Sequence, residues 1–159
     1  MKSFVSQLLS HDLTKIINLA PLLNQNDVGV VGQLYSLAFG SVDNLQRFAD
    51  DPDRLATAVP EIYALPALGD RVVLNFTDAL LCQYAGSQHG MLHYSAVLNE
   101  LRCSRDPVAL DILSVQTLAQ QRALAGFPVA PSSADLFHNA ALLELGTNDP
   151  KKIQVDNVR

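Results

Sequence analysis

Apolar residues recur every three or four positions along most of the chain, which is the spacing that places side chains on one face of an α-helix. The first apolar stripe runs from Phe4 to Ala20 and stops at Pro21, because proline lacks the amide hydrogen that a helix interior needs. The longest apolar-rich stretch covers residues 70–102, where Gly86 and Gly90 either divide two helices or allow one helix to pack closely on another.

Residues with a preference for helix ends predict where the other helices begin and stop. A helix capped by Asn26 or Asp27 and closed by Gly40 is predicted, and a short one from Ser41 follows it. Further starts and stops are predicted at Pro52 and Pro60, at Asp106–Pro107 and Gly126, and at Ser132 or Ser133 and Gly146.

No segment alternates between apolar and polar residues clearly enough to predict a sheet. The sequence therefore predicts an all-α fold, a compact single-domain bundle of six to eight helices over residues 1–146. Residues 147–159 are polar and are interpreted as a tail, or as an arm that lies on a neighbouring subunit.

Composition adds an expectation about association. Charged residues make up only 17% of the 159 residues, against about 25% in a typical soluble domain. So few charges leave apolar surface uncovered, and association between subunits is a common way to bury it. We expect a homo-oligomer.

The charge pattern and the absence of certain segments narrow the partners. The net charge is −5, and Lys151 and Lys152 form the only adjacent basic pair, so a nucleic-acid partner is not expected. No apolar run reaches the length of about 18 residues that a membrane span needs, and the first residues do not form a signal peptide. Cys82 and Cys103 are too few for a disulfide framework, so the expected location is the cytoplasm.

Candidate chemistry concentrates between residues 70 and 93. On a continuous helix, offsets of seven and four would place Cys82, His89 and His93 on one face. A nearby imidazole favours the thiolate form of cysteine, which is the nucleophile. His89 and His93 also have the spacing of a metal-binding helix face, but the sequence specifies no third ligand except Cys82. We therefore predict neither a metal nor another cofactor.

The same stretch, D-RVVLNFTDALL-C-QY-A-GSQ-H, resembles the signature of the AhpD-like alkylhydroperoxidase and carboxymuconolactone decarboxylase superfamily. That signature is Glu, eleven residues, Cys-x-x-Cys, three residues and His. The resemblance covers about residues 50–125, with Asp70 in place of the glutamate and Ala85 in place of the second cysteine. It implies that Cys82, His89, Asp70 and Tyr84 form a catalytic site for a small-molecule substrate.

Three functions follow as hypotheses. In the first, Cys82 is a lone thiol that reduces hydroperoxides, because Ala85 prevents the family's internal disulfide and Cys103 is expected to lie too far away. In the second, His89 moves a proton on a small cyclic acid or lactone, as in the decarboxylase branch. In the third, the chain is a non-catalytic oligomeric binding or scaffold protein.

Each candidate residue also has a purely structural interpretation. Cys82 lies in the apolar run LLCQYA and suits a core position. Asp70 suits a helix cap, and Tyr84 suits an interior aromatic position with its hydroxyl group hydrogen-bonded.

Overall fold

The computed structural model describes residues 2–44, 46–49, 51–86, 90–129 and 132–158. Its centre is a four-stranded mixed sheet with the strand order β2-β1-β3-β4. Strands β1 and β3 are parallel, whereas β2 pairs with β1, and β4 with β3, in antiparallel fashion. The strands are β1 (Ile16–Gln25), β2 (Gly29–Val30), β3 (Val72–Gln83) and β4 (Ser95–Ser104).

Helices cover one side of this sheet, and the hydrophobic core lies between the two layers. Short one-turn helices occur at Leu8–Asp12, Gly69–Arg71, Leu92–Tyr94 and Pro150–Lys152. The α-helices are α1 (Gln33–Ser41), α2 (Gln46–Ala49), α3 (Pro52–Tyr63), α4 (Pro107–Leu124) and α5 (Ala134–Leu142).

The all-α prediction is wrong, because both long segments at residues 4–20 and 70–102 contribute strands to the sheet. Along β1, buried Ile16, Asn18 and Ala20 alternate with exposed Ile17 and Leu19. The exposed positions are apolar as well, so polarity does not distinguish the exposed positions of β1 from the buried ones. Dense apolar segments fit a helical spacing equally well, and the sequence pattern could not separate the two structures.

Local capping chemistry predicted the starts of α3, α4 and α5 correctly. The helix predicted to be capped by Asn26 or Asp27 begins instead at Gln33, because Gly29–Val30 form β2, and the short helix expected from Ser41 begins at Gln46. Helix α3 begins at Pro52, and Asp51 accepts hydrogen bonds from the backbone N–H groups of Asp53 and Arg54. Helix α4 begins at Pro107, with Asp106 accepting from Ala109 N. Helix α5 begins after Ser133, which accepts from Leu136 N. These side chains satisfy N–H groups that have no partner within the helix.

The backbone N–H groups at the start of α1 donate hydrogen bonds to a residue that is distant in sequence. The carboxylate of Asp111, in α4, accepts hydrogen bonds from Gln33 N at 2.6 Å and Leu34 N at 3.0 Å. Gly32 precedes them with φ at +41°, and a Cβ atom at this position would overlap the Asp111 carboxylate. Only a glycine therefore allows α1 and α4 to approach each other in this way.

We predict that Gly32→Ala lowers the free energy of unfolding by about 2 kcal/mol or more, since it combines an unfavourable φ with a steric clash. Gly40→Ala is the matched control. Gly40 lies in α1 with open space around its Cα, so alanine there should leave stability unchanged or raise it by up to about 1 kcal/mol. Urea denaturation of the two variants measures the difference. Equal effects would contradict the account of the Gly32 contact.

Candidate functional site

Cys82 lies near the end of β3, and its side chain is completely buried in the hydrophobic core. Burial raises the pKa of the Cys82 thiol, and hydrogen bonding from the backbone of Ala96 offsets only part of this effect. Removal from solvent and a raised pKa both oppose formation of a reactive thiolate. The geometry fits the interpretation of Cys82 as a small core residue.

Asp70 lies at the opposite end of β3 from Cys82. It belongs to the 3₁₀ turn Gly69–Arg71, just before the strand begins at Val72. The ten residue-to-residue steps from Val72 to Cys82 span roughly 30 Å at about 3.3 Å per residue. Asp70 therefore cannot orient or protonate a group beside Cys82. Asp70 instead lines a cavity of about 320 Å³, together with Tyr63, Arg105 and Glu144.

Tyr84 follows β3 directly and is half-buried in an aromatic cluster. The Phe127 ring packs edge-on against the rings of Tyr84 and Tyr94, with ring centroids 5.8 Å and 5.5 Å away. Arg122 donates a hydrogen bond to the Tyr84 carbonyl at 2.8 Å. These contacts attach the end of the β3–β4 hairpin to the end of α4.

His89 lies outside the described residues, so its relation to Cys82 stays a prediction. His93 is exposed, in the 3₁₀ turn before β4, where its ring contacts that of Tyr94 at 4.0 Å. Within the part of the chain that the structure describes, three or more histidine, cysteine or carboxylate side chains do not come together in a way that could hold a metal ion.

Sequence reasoning missed the polar groups that hold the two layers together. Asp111 is fully buried, and burial raises its pKa to about 7, although the N–H groups of Leu34 and Gln33 lower it. Asp106 adds a smaller upward effect. A charged residue inside the apolar run PVALDILSV is the one signal in the sequence that could have identified this position.

Side chains with amide groups extend this buried polar layer across the sheet. The Gln33 side chain donates hydrogen bonds to Phe76 O at 2.7 Å and to Thr77 Oγ1 at 3.0 Å, both in β3. The Asn18 side chain, from β1, donates to Gln33 O at 3.0 Å. Gln33 therefore connects α1 to both central strands, beside the contact that its N–H makes with Asp111.

A second contact of the same kind lies beneath α3. The Tyr63 hydroxyl donates a hydrogen bond to the Asn75 carbonyl oxygen at 3.3 Å. Burial raises the pKa of Tyr63 far above its usual range, and the negative charges of Asp111 and Asp106 add to this effect. The hydroxyl is therefore neutral at physiological pH, where it acts as a structural donor.

The other face of the sheet has the opposite character. Most of its exposed side chains are apolar, with Asp78 as a polar exception, and we call this surface the outer face. The exposed fractions of the apolar side chains range from 48% at Leu81 to 66% at Leu19 and Val97. The set comprises Ile17, Leu19, Leu80, Leu81, Val97 and Leu101. Strand pairing places the half-buried side chain of Phe76 beside Leu19 and that of Leu74 beside Ile17.

Comparison with known proteins gives no match for this chain, whether with protein-family models, curated proteins or solved structures. Across the described residues, no helix has both the length and the apolar character required to cross a membrane.

We predict that the two thiols differ strongly in reactivity. Because Cys103 is exposed and Cys82 is buried with a raised pKa, Cys103 should react with a disulfide reagent at pH 8 about a hundredfold faster. Cys103→Ser and Cys82→Ser isolate each thiol, and denaturant should abolish the difference. Fast modification of native Cys103→Ser protein would show that Cys82 is accessible after all.

We also predict a pH dependence of stability due to Asp111. Its folded-state pKa of about 7 exceeds the ordinary value of 3.8. Below pH 4 the carboxyl group is protonated in both states, whereas between about pH 4 and 7 only the unfolded chain ionises. The contribution of Asp111 to stability is therefore greatest at low pH and is lost as the pH rises through 7, with a total of the order of 4 kcal/mol.

Urea denaturation from pH 4.5 to 8 measures this effect, with Asp111→Asn as the non-titrating reference. The free energy of unfolding of the parent protein, relative to that variant, should fall as the pH rises. A relative stability that rises or stays constant would contradict the raised pKa.

Proposed function

We propose that this chain is a non-catalytic binding protein that associates with a second copy of itself through the outer face of the sheet. The apolar character of that exposed face is the observation that carries the proposal. An exposed apolar patch of several hundred Å² is often a functional surface, and interaction between proteins is a common use of it.

The extent of the outer face suits a specific interface. Full burial of a Leu, Ile or Val side chain removes roughly 60 to 120 Å² of apolar surface. The six exposed side chains of the outer face together offer of the order of 400 Å², given their exposed fractions. A standard interface buries about 800 Å² per partner, a little over half of it apolar.

A second copy is the occupant that this surface favours. A different partner is normally selected by complementary charges and directed hydrogen bonds, and the outer face offers few of either. Asp78 lies on this face, and its side chain accepts a hydrogen bond from Leu80 N. An apolar surface is complementary to itself, as the isologous interface of a two-fold dimer requires. Two such sheets can pack face to face at about 10 Å.

The catalytic hypotheses stay predictions, but the geometry offers them little support. The thiol of Cys82 is buried in the core, and Asp70 lies at the far end of the strand. Tyr84 serves the aromatic cluster beside Phe127. A peroxide reductase needs a reachable thiolate, and a proton-transfer enzyme needs its acid and base at one place.

We predict that the parent protein sediments at twice its 17.2 kDa chain mass and that Leu19→Lys sediments as a monomer. Leu19 lies on β1, near the middle of the sheet, and is 66% exposed, so the substitution should not disturb the fold. A two-fold interface contains the substitution twice, so we expect the dissociation constant to rise about a hundredfold or more.

Leu124→Lys is the matched control, because Leu124 is 75% exposed at the end of α4, away from the sheet. It should associate like the parent protein in sedimentation equilibrium. A parent protein that is monomeric at about 100 μM, or equal dissociation by both variants, would contradict the proposal.

A further inference from the structure

A groove of about 700 Å³ runs between β4 and α4, and Leu101, at the margin of the outer face, also lines it. Arg102 and Cys103 of β4 line one wall, and Leu113 and Gln116 of α4 line the other. Residues 153–158 also line this groove. A segment near the C-terminus therefore forms part of the groove wall.

The wall formed by β4 is the free edge of the sheet. Among the described strands, β4 pairs with β3 alone, in two runs, Ser95–Val97 and Glu100–Ser104, that are separated by a register shift at which Asn99 has φ of +56°. The second run forms the wall of the groove. Along such an edge, alternate backbone N–H and C=O groups point away from the neighbouring strand. Edges of this length readily pair with another extended chain, and proteins commonly cover them with a loop or segment.

The chain that precedes residue 153 is attached firmly. Thr147 donates its N–H to the Asp106 carboxylate at 2.8 Å, and the turn Pro150–Lys152 contacts α4. Asp149 caps that turn by accepting a hydrogen bond from Lys151 N.

The 153–158 segment itself is held loosely. It forms neither a helix nor a strand, and Val155 and Val158 are 56% and 97% exposed. The segment therefore lies along the groove from a fixed base without filling it. Its free energy of attachment must be small, because little apolar surface is buried.

We propose that the groove between β4 and α4 is a binding site for an extended peptide that pairs with the free edge of β4, and that the 153–158 segment is a built-in occupant that such a peptide displaces. The segment indicates the chemistry of the partner. Ile153 and Val155 are branched apolar residues at alternate positions, separated by polar Gln154. In an extended chain this spacing puts the apolar side chains on one face.

The groove does not select a partner by charge, because its cation is already paired within the protein. Arg102 forms an ion pair with Glu100 at 2.6 Å and donates a second hydrogen bond to Thr117 at 2.9 Å. The cation is thus already neutralised. Gln116 and Gln120 add neutral polar groups to the same lining.

A fluorescent peptide with the sequence of residues 149–158 tests this proposal by anisotropy. Its receptor is the full-length variant Ile153→Ser/Val155→Ser/Val158→Ser, in which the built-in occupant lacks its apolar side chains. A tethered segment competes at an effective concentration in the millimolar range, so the parent protein should bind the peptide about tenfold more weakly than the variant. Circular dichroism confirms that the variant is folded.

Two N-methylated peptides determine whether the peptide pairs with the strand. Methyl groups on the amides of 153 and 155, or of 154 and 156, block alternate edges of the extended peptide. One of the two peptides should lose binding and the other should retain it. Bound peptide should also slow the modification of Cys103, which lines the groove.

The proposal is overturned if the triple variant does not bind the peptide at 1 mM, if it binds no more tightly than the parent protein, or if both methylated peptides bind equally well. Leu19→Lys makes the test independent of self-association, since Leu19 lies on β1 and not in the groove. Introduced into the triple variant, it should leave peptide binding unchanged even where the dimer is lost.

Discussion

The contact between the Asp111 carboxylate and the first turn of α1 is the constraint on which the rest of the structure depends. It joins two helices that are distant in sequence and fixes the position of Gln33. Gln33 then reaches both central strands through Asn18 and Thr77. Because buried polar groups cost free energy unless they are paired, these hydrogen bonds favour this relative placement of helices and sheet. The side-chain oxygen of Gln33 is the one member of the network that is buried without a partner among the described residues. Gly32 makes the approach sterically possible.

Because of this network, the sheet carries polar residues on its buried face and apolar residues on its exposed face. The buried face carries Asn18, Asn75 and Thr77, which bind the helical layer through hydrogen bonds. The outer face carries exposed Ile17 and Leu19 on the same strand as Asn18. A two-layer protein normally places its polar strand residues toward water. The reversed arrangement leaves an apolar surface whose burial requires a second body, and the helices of this chain already occupy the other side.

The same reversal explains how far the sequence could predict the structure. The starts of α3, α4 and α5 could be predicted because Asp51, Asp106 and Ser133 act on N–H groups within the next few residues. The strands could not be predicted, because they lack the usual alternation of buried apolar and exposed polar residues. Their outer face is apolar, and their inner face contains amide side chains. The helical premise of the candidate site was therefore wrong as well. A helix would have brought residues 82, 89 and 93 together, whereas in the structure Cys82 lies in a strand and His93 in a turn beyond it.

The outer face and the free edge of β4 differ in what is needed to cover them. An apolar face needs a partner of matching area, and only another globular surface provides it. An edge needs backbone partners, and a few extended residues suffice. The six residues of the 153–158 segment line the groove beside the edge and are far too few to cover the face. Pairing at the edge leaves the side chains of β1 exposed, just as burial of the face leaves the outer N–H groups of β4 free. The two surfaces meet at Leu101, which belongs to the outer face and also lines the groove, whereas Leu19 lies on the outer face alone.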